Sequence, residues 1–130
     1  KDEDKNVRER VAEALGNIKS EKAVQPLINA LNDRESYVRK RVAEALGNIK
    51  SETAMQPLIN ALNDKDPNVG QNVAGALKKI CTAKNKKQLE DLLKSDHEFS
   101  ANTAFEILYE IEKGEKSKVV LFKDEKFLKS

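Results

Sequence analysis

The residues in this chain that could do chemistry each stand without the partners that chemistry needs. His97 is the only histidine and is followed by Glu98. An imidazole beside a carboxylate can begin a metal site or a general base, but a built metal site needs several such donors converging on one point. Cys81 is the only cysteine, and Lys78, Lys79 and Lys84 lie near it in sequence. Ammonium groups lower a thiol pKa and favour a nucleophilic thiolate. No base accompanies the thiol, however, so it reads as a lone tolerated cysteine. A single cysteine also excludes an internal disulfide or a Cys-based metal cage, and fits a reducing, cytoplasmic setting. Gly70 and Gly75 fall inside a helical pattern rather than in a phosphate-cradling loop. Neither metal nor cofactor is expected, and the chain does not read as an enzyme.

The charge pattern offers one further candidate. Lys78, Lys79, Lys84, Lys86 and Lys87 cluster with no acid between Pro67 and Gln88. Such a run could meet nucleic acid or an acidic protein surface. It lacks arginines and interleaved aromatics, and the net charge of the 130 residues is only +2, so a solvated turn is the stronger reading. No run is long and apolar enough to span a bilayer, and the Lys/Asp/Glu-rich start is no signal peptide. Because the chain starts at Lys1 rather than Met, it also reads as a piece of a longer protein.

The elements that must position these groups are repeats. Charged residues make up 35% and aromatics 5%, a profile of stacked helices rather than sheets. Shifted by 31 residues, Val7–Asp33 and Val38–Asp64 differ only at Glu9/Lys40, Lys22/Thr53 and Val24/Met55. A third copy keeps Val69, Val73, Ala74, Ala76, Leu77, Ile80, Leu89 and Leu93. A fourth keeps Ala104, Phe105, Leu108 and Ile111. Within a unit, Val7, Val11, Leu15 and Ile18 share one helical face, and Val24, Leu27, Ile28 and Leu31 share another. Gly16–Asn17 and Lys19–Lys22 read as the turn between antiparallel helices. Asp66-Pro67 reads as an N-cap with proline in the first helical position. One such pair cannot bury its own apolar stripe, so neighbours must stack. The expected fold is an all-α solenoid, a right-handed superhelix of about four helix-turn-helix repeats near 5–33, 36–64, 67–95 and 98–130. It forms a single domain whose last repeat is degenerate or capping.

The repeated motif, D-x-x-x-x-VR-x-x-VAEALG-x-I followed by AV-x-PLI-x-AL-x-D, resembles the HEAT-like repeats of the phycobilisome-lyase type. It runs from Val7-Arg8 to Asp33 and from Val38-Arg39 to Asp64. The resemblance implies an Asp–Arg ladder between repeats, matched here at a six-residue spacing by Asp2/Arg8 and Asp33/Arg39. By that reckoning the ladder breaks where Asp64 faces Gly70 and Ser95 faces Ala101. Some similar proteins are enzymes. The deoxyhypusine hydroxylase-like ones hold two irons on His-Glu pairs, where this chain has Glu9-Arg10, Lys40-Arg41 and Gln71-Asn72. DNA glycosylases of this build need aromatic surfaces, which this Trp-free chain lacks. A role as subunit of a bilin-lyase-like assembly would need a tetrapyrrole pocket, of which the sequence shows nothing.

What remains is binding. The resemblance implies that second helices line a concave face. There Gln25, Gln56 and Lys87 form one column, Asn29, Asn60 and Asp91 a second, and Asn32, Asn63 and Lys94 a third. Amides donate and accept, which suits a peptide or a polar protein surface. Recent duplication explains the Gln/Asn identity equally well. The C-terminal Val120, Leu121, Phe127 and Leu128 read as a closing cap or a docking tail. At the other end Val7–Ile18 opens the stack. It is either covered by earlier repeats or a surface for self-association.

Overall fold

The computed structural model describes the backbone of residues 2–129 and the side chains of residue 4 and residues 6–116. Asp2, in the expected ladder, and the apolar residues 120, 121, 127 and 128 of the expected cap have side chains outside that set. Seven α-helices and no strand occur among the described residues. They are α1 (Asp2–Ile18), α2 (Val24–Ala30), α3 (Ser36–Ile49), α4 (Met55–Ala61), α5 (Pro67–Ile80), α6 (Lys86–Leu92) and α7 (Glu98–Lys129). A short 3-10 turn precedes each of α2, α4 and α6. The all-α solenoid class expected from the periodicity is what the chain adopts.

Packing divides the chain into two compact units, Lys1–Cys81 and Thr82–Ser130. In the first, α3 packs on both α1 and α2, and α5 packs on both α3 and α4. Each repeat's first helix is thus roofed by both helices of the repeat before it. The face so covered is the expected apolar stripe: Val38, Val42 and Leu46 on α3 and Val69, Val73 and Leu77 on α5 are all buried. Burying a Leu or Val side chain contributes about 1.5–3 kcal/mol, so these stripes dominate the unit's cohesion.

Gly16 is a correction to the expected turn. It lies within α1, where a Cβ would stand 2.8 Å from Ala45 Cα. Gly47 does the same on α3, where a Cβ would meet Ala76 Cα at 2.9 Å. These glycines let two helix backbones approach. The chain turns later, at Lys19 and Lys50, which adopt left-handed φ angles of 58° and 60°. Ser20 and Ser51 then cap the 3-10 turns by accepting the N–H of Lys22 and Thr53. Asp66 caps α5 by accepting the Asn68 N–H, with Pro67 in the first turn, as its sequence implied.

In the second unit α6 packs on α7. The fourth segment is one helix of 32 residues, not a helix-turn-helix. Gly114 alone does not stop a helix. His97 opens α7: its Nδ1 lies 2.7 Å from Ser100 Oγ and accepts the Ser100 N–H. Ala104 and Ile107 are buried, but Phe105 is exposed and stacks on Tyr109 instead of joining a core. Leu93, expected in the core from its register, is partly exposed.

Candidate protein-binding face on the second helices

All nine column residues are exposed. Gln25, Asn29, Asn32, Gln56, Asn60 and Asn63 belong to the first unit, and Lys87, Asp91 and Lys94 to the second. Within α2 the Gln25 Nε2 donates to Asn29 Oδ1 at 3.2 Å, and within α4 the Gln56 Nε2 donates to Asn60 Oδ1 at 3.0 Å. These i,i+4 bonds pre-orient the carboxamides along each helix. Each amide still has donor and acceptor capacity to offer a ligand.

The columns are not equal. A cleft of about 370 Å³ runs between the two helices, and its polar rim is made by Asn32, Asn60 and Asn63. Gln25, Asn29 and Gln56 lie outside that lining. Sequence reasoning missed the apolar part, made by Ile28, Leu31, Pro57 and Ala61, because the Leu and Ile positions read simply as core. The signal was present in Pro57. A proline after the first turn cannot donate an N–H, so it leaves carbonyl and ring surface open beside the next helix.

Asp64 also touches the cleft but is held by Arg39. Here the expected ladder needs correction. The Arg8 Nε and Nη2 donate to Asp33 at 2.8 and 3.2 Å, and the Arg39 Nε and Nη2 to Asp64 at 2.9 and 3.1 Å. Each arginine reaches the aspartate that ends its own repeat, 25 residues on. The six-residue relation between Asp33 and Arg39 does exist, but it is a bond from Nη1 to the Asp33 backbone carbonyl at 2.7 Å. The aspartates serve twice, because Asp33 also accepts the Glu35 N–H and Asp64 the Asp66 N–H. Burial alone would raise the Asp33 pKa, but the hydrogen bonds from Arg8 and the Glu35 N–H outweigh it, leaving the carboxyl below its ordinary 3.8. Bidentate pairs of this kind are among the stronger polar contacts in proteins.

The lysine run loses its unopposed character in three dimensions. Lys86 Nζ lies 2.8 Å from Glu115 Oε1 on α7. That bond, more than the residual desolvation, holds the Lys86 pKa above its usual value. Lys79 donates to Asn48 Oδ1 at 3.0 Å. Lys78 and Lys79 lie on α5 in the first unit, while Lys84, Lys86 and Lys87 belong to the second. The acid-free interval in the sequence is therefore not acid-free in space, since α7 brings Glu115 to Lys86.

The nearby lysines do not activate Cys81. Burial pushes its pKa up to about 11, and its Sγ sits 3.6 Å from Met55 Sδ. Among the described residues no three His, Cys, Asp or Glu side chains gather closely enough to hold a metal ion. No helix among them is long and apolar enough to cross a membrane.

A family model described as HEAT repeats matches residues 1–36 and 24–108 of the chain. A search of curated proteins found no match.

Proposed function

The chain belongs to the HEAT-repeat family, and from that premise we propose that it is a non-catalytic scaffold holding another protein or peptide on its second-helix face. The observation that carries this reading is the cleft between α2 and α4, apolar at its floor and rimmed by Asn32, Asn60 and Asn63. Such a surface takes an apolar side chain while the carboxamides orient the backbone beside it. Gln25, Asn29 and Gln56, with Lys87, Asp91 and Lys94 from the second unit, extend the candidate surface. HEAT repeats commonly mediate protein–protein contacts, which supports a protein partner over a small substrate. Within the family we place the repeats in the phycobilisome-lyase type, on the VR-x-x-VAEALG motif, without a bilin-lyase role. A cytoplasmic location fits the lone, unactivated cysteine.

The test is a peptide library selected on the full chain, followed by affinity measurement with the triple variant Asn32→Arg, Asn60→Arg, Asn63→Arg. These positions are exposed, so the helical circular dichroism and Tm should stay near those of the parent. Selected peptides should lose about tenfold or more in affinity, because bulky charge fills the cleft they occupy. Equal binding by parent and triple variant would remove this face from consideration.

A further inference from the structure

The first-helix faces of the three repeats have matching apolar residues but very different exposure. Val7 is 58% exposed where Val38 and Val69 are each 1%, and Val11 is 51% exposed where Val42 and Val73 are 0%. The residue types are the same, so the cover makes the difference. Against α1 opens a cleft of about 230 Å³ lined by Val7, Val11, Leu15, Pro26, Leu27 and Val38, nearly all apolar.

We propose that this face docks a further two-helix repeat of the same kind, supplied by the stretch of polypeptide that would precede Lys1. The joint between the first two repeats defines what the occupant must carry. There Ala45 enters the notch left by Gly16, Arg41 donates to Glu9 at 3.3 Å, and Ser51 donates to Glu21 at 3.0 Å. The first repeat presents the same three incoming groups one stride earlier, as Ala14, Arg10 and Ser20. Asp2 likewise stands in sequence where Asp33 and Asp64 stand, the residues that receive an arginine from 25 positions back. A matching occupant offers a small-residue notch to Ala14, a carboxylate to Arg10 and an acceptor to Ser20.

A second copy of the chain, docking by its third repeat, does not meet this specification. That repeat has Gln71, Lys78 and Ala83 where Glu9, Gly16 and Glu21 stand. Lysine in place of the glycine blocks the backbone approach, and neither of the other two residues carries a carboxylate. A repeat with the sequence of residues 1–31 meets all three requirements at the correct stride. The α1 face is then continuous with the series of joints already formed by α1 with α3 and α3 with α5.

The experiment places a second copy of residues 1–31 directly before Lys1 of the full chain and reads the exposure of Val11→Cys by thiol labelling. Cys81, with its pKa near 11, serves as a slow internal reference. Covering α1 should slow labelling at position 11 by about tenfold or more and raise Tm by about 5 °C. Replacing the added copy's own notch glycine by Leu should restore fast labelling while the added helicity remains. Unchanged labelling in the extended chain overturns the proposal. So does failure of the added copy to become helical, since docking on α1 is what would fold it. Sedimentation of the original chain as a dimer with position 11 already protected would assign the face to a second copy and overturn it equally.

Discussion

The second and third repeats present the same apolar stripe through different polar hardware. On α3 the stripe Val38, Val42 and Leu46 is buried, and on α5 its counterparts Val69, Val73 and Leu77 are buried just as deeply. Around that stripe nearly everything else differs. Arg39 and Asp64 form a bidentate pair, whereas the third repeat has Gly70 and Ser95 in those two positions. Gly47 admits Ala76, whereas the third repeat has Lys78. Lys50 turns the chain with a left-handed backbone, whereas Cys81 at that register is extended and half-buried beside Met55. The contrast separates what the fold demands from what it can do without. Apolar burial is kept at every joint, while the ion pair is dropped as a whole, leaving no buried charge behind.

That distinction can be tested first where it predicts no difference between the two repeats. Leu46→Ala and Leu77→Ala remove equivalent, fully buried side chains, and each should cost about 3 kcal/mol in urea unfolding. A loss confined to one of them would mean that the stripe does not act equally in both repeats.

The ion pair should show the opposite pattern. Arg39 is 5% exposed, so Arg39→Gly alone leaves Asp64 nearly buried without its cation and should cost about 3 kcal/mol. Adding Asp64→Ser writes the third repeat's residues into the second. It should recover about 1 kcal/mol, because no uncompensated charge remains. A double variant worse than the single would refute joint loss as the reason the third repeat tolerates its own sequence.

Glycines sharpen the contrast further. Gly47→Ala places a methyl group against the Ala76 backbone and should destabilise by about 1–2 kcal/mol. Gly75, on the outer side of α5, has no neighbouring atom within 4 Å of where an added methyl group would stand. Gly75→Ala should therefore stabilise by about 0.5–1 kcal/mol, the ordinary helix preference of alanine. Thermal melts of the two variants should shift in opposite directions.

The smallest effect concerns acid. Asp33 titrates below 3.8 when folded, so its contribution is fully present above its ordinary pKa and is lost as pH falls through the depressed value. Urea midpoints taken from about pH 5 to about pH 2.5 should fall less steeply in Asp33→Asn than in the parent. Equal slopes would mean that the Arg8 pair contributes no pH-dependent stability.

The stripe was readable in the sequence because helical periodicity is local: Val38, Val42 and Leu46 announce their shared face within three turns. The ladder was only half readable. Asp33 and Arg39 are six apart and do meet, but through a backbone carbonyl that no side-chain pattern encodes. The carboxylate partner lies across a whole helix-turn-helix, where only tertiary packing fixes the distance. Gly16 reads as a turn from composition, and its use as a helix notch depends on Ala45 arriving from the next repeat. The Asn positions of the binding face were visible as columns. The cleft that separates Asn32, Asn60 and Asn63 from the other amides depends on how α2 and α4 sit, which no single helix specifies. The lysine run misled for the same reason, since Glu115 reaches Lys86 from 29 residues away.

The double service of Asp33 and Asp64 bears on how such a chain lengthens. Each carboxylate clasps the arginine behind it and also fixes the backbone leading into the helix ahead. A 31-residue window over the first two units, cut at any phase, therefore contains one such arginine and one such aspartate. Tandem copying with ragged breakpoints still delivers a self-fastening cassette, and the near-identity of the first two units is the imprint such copying would leave.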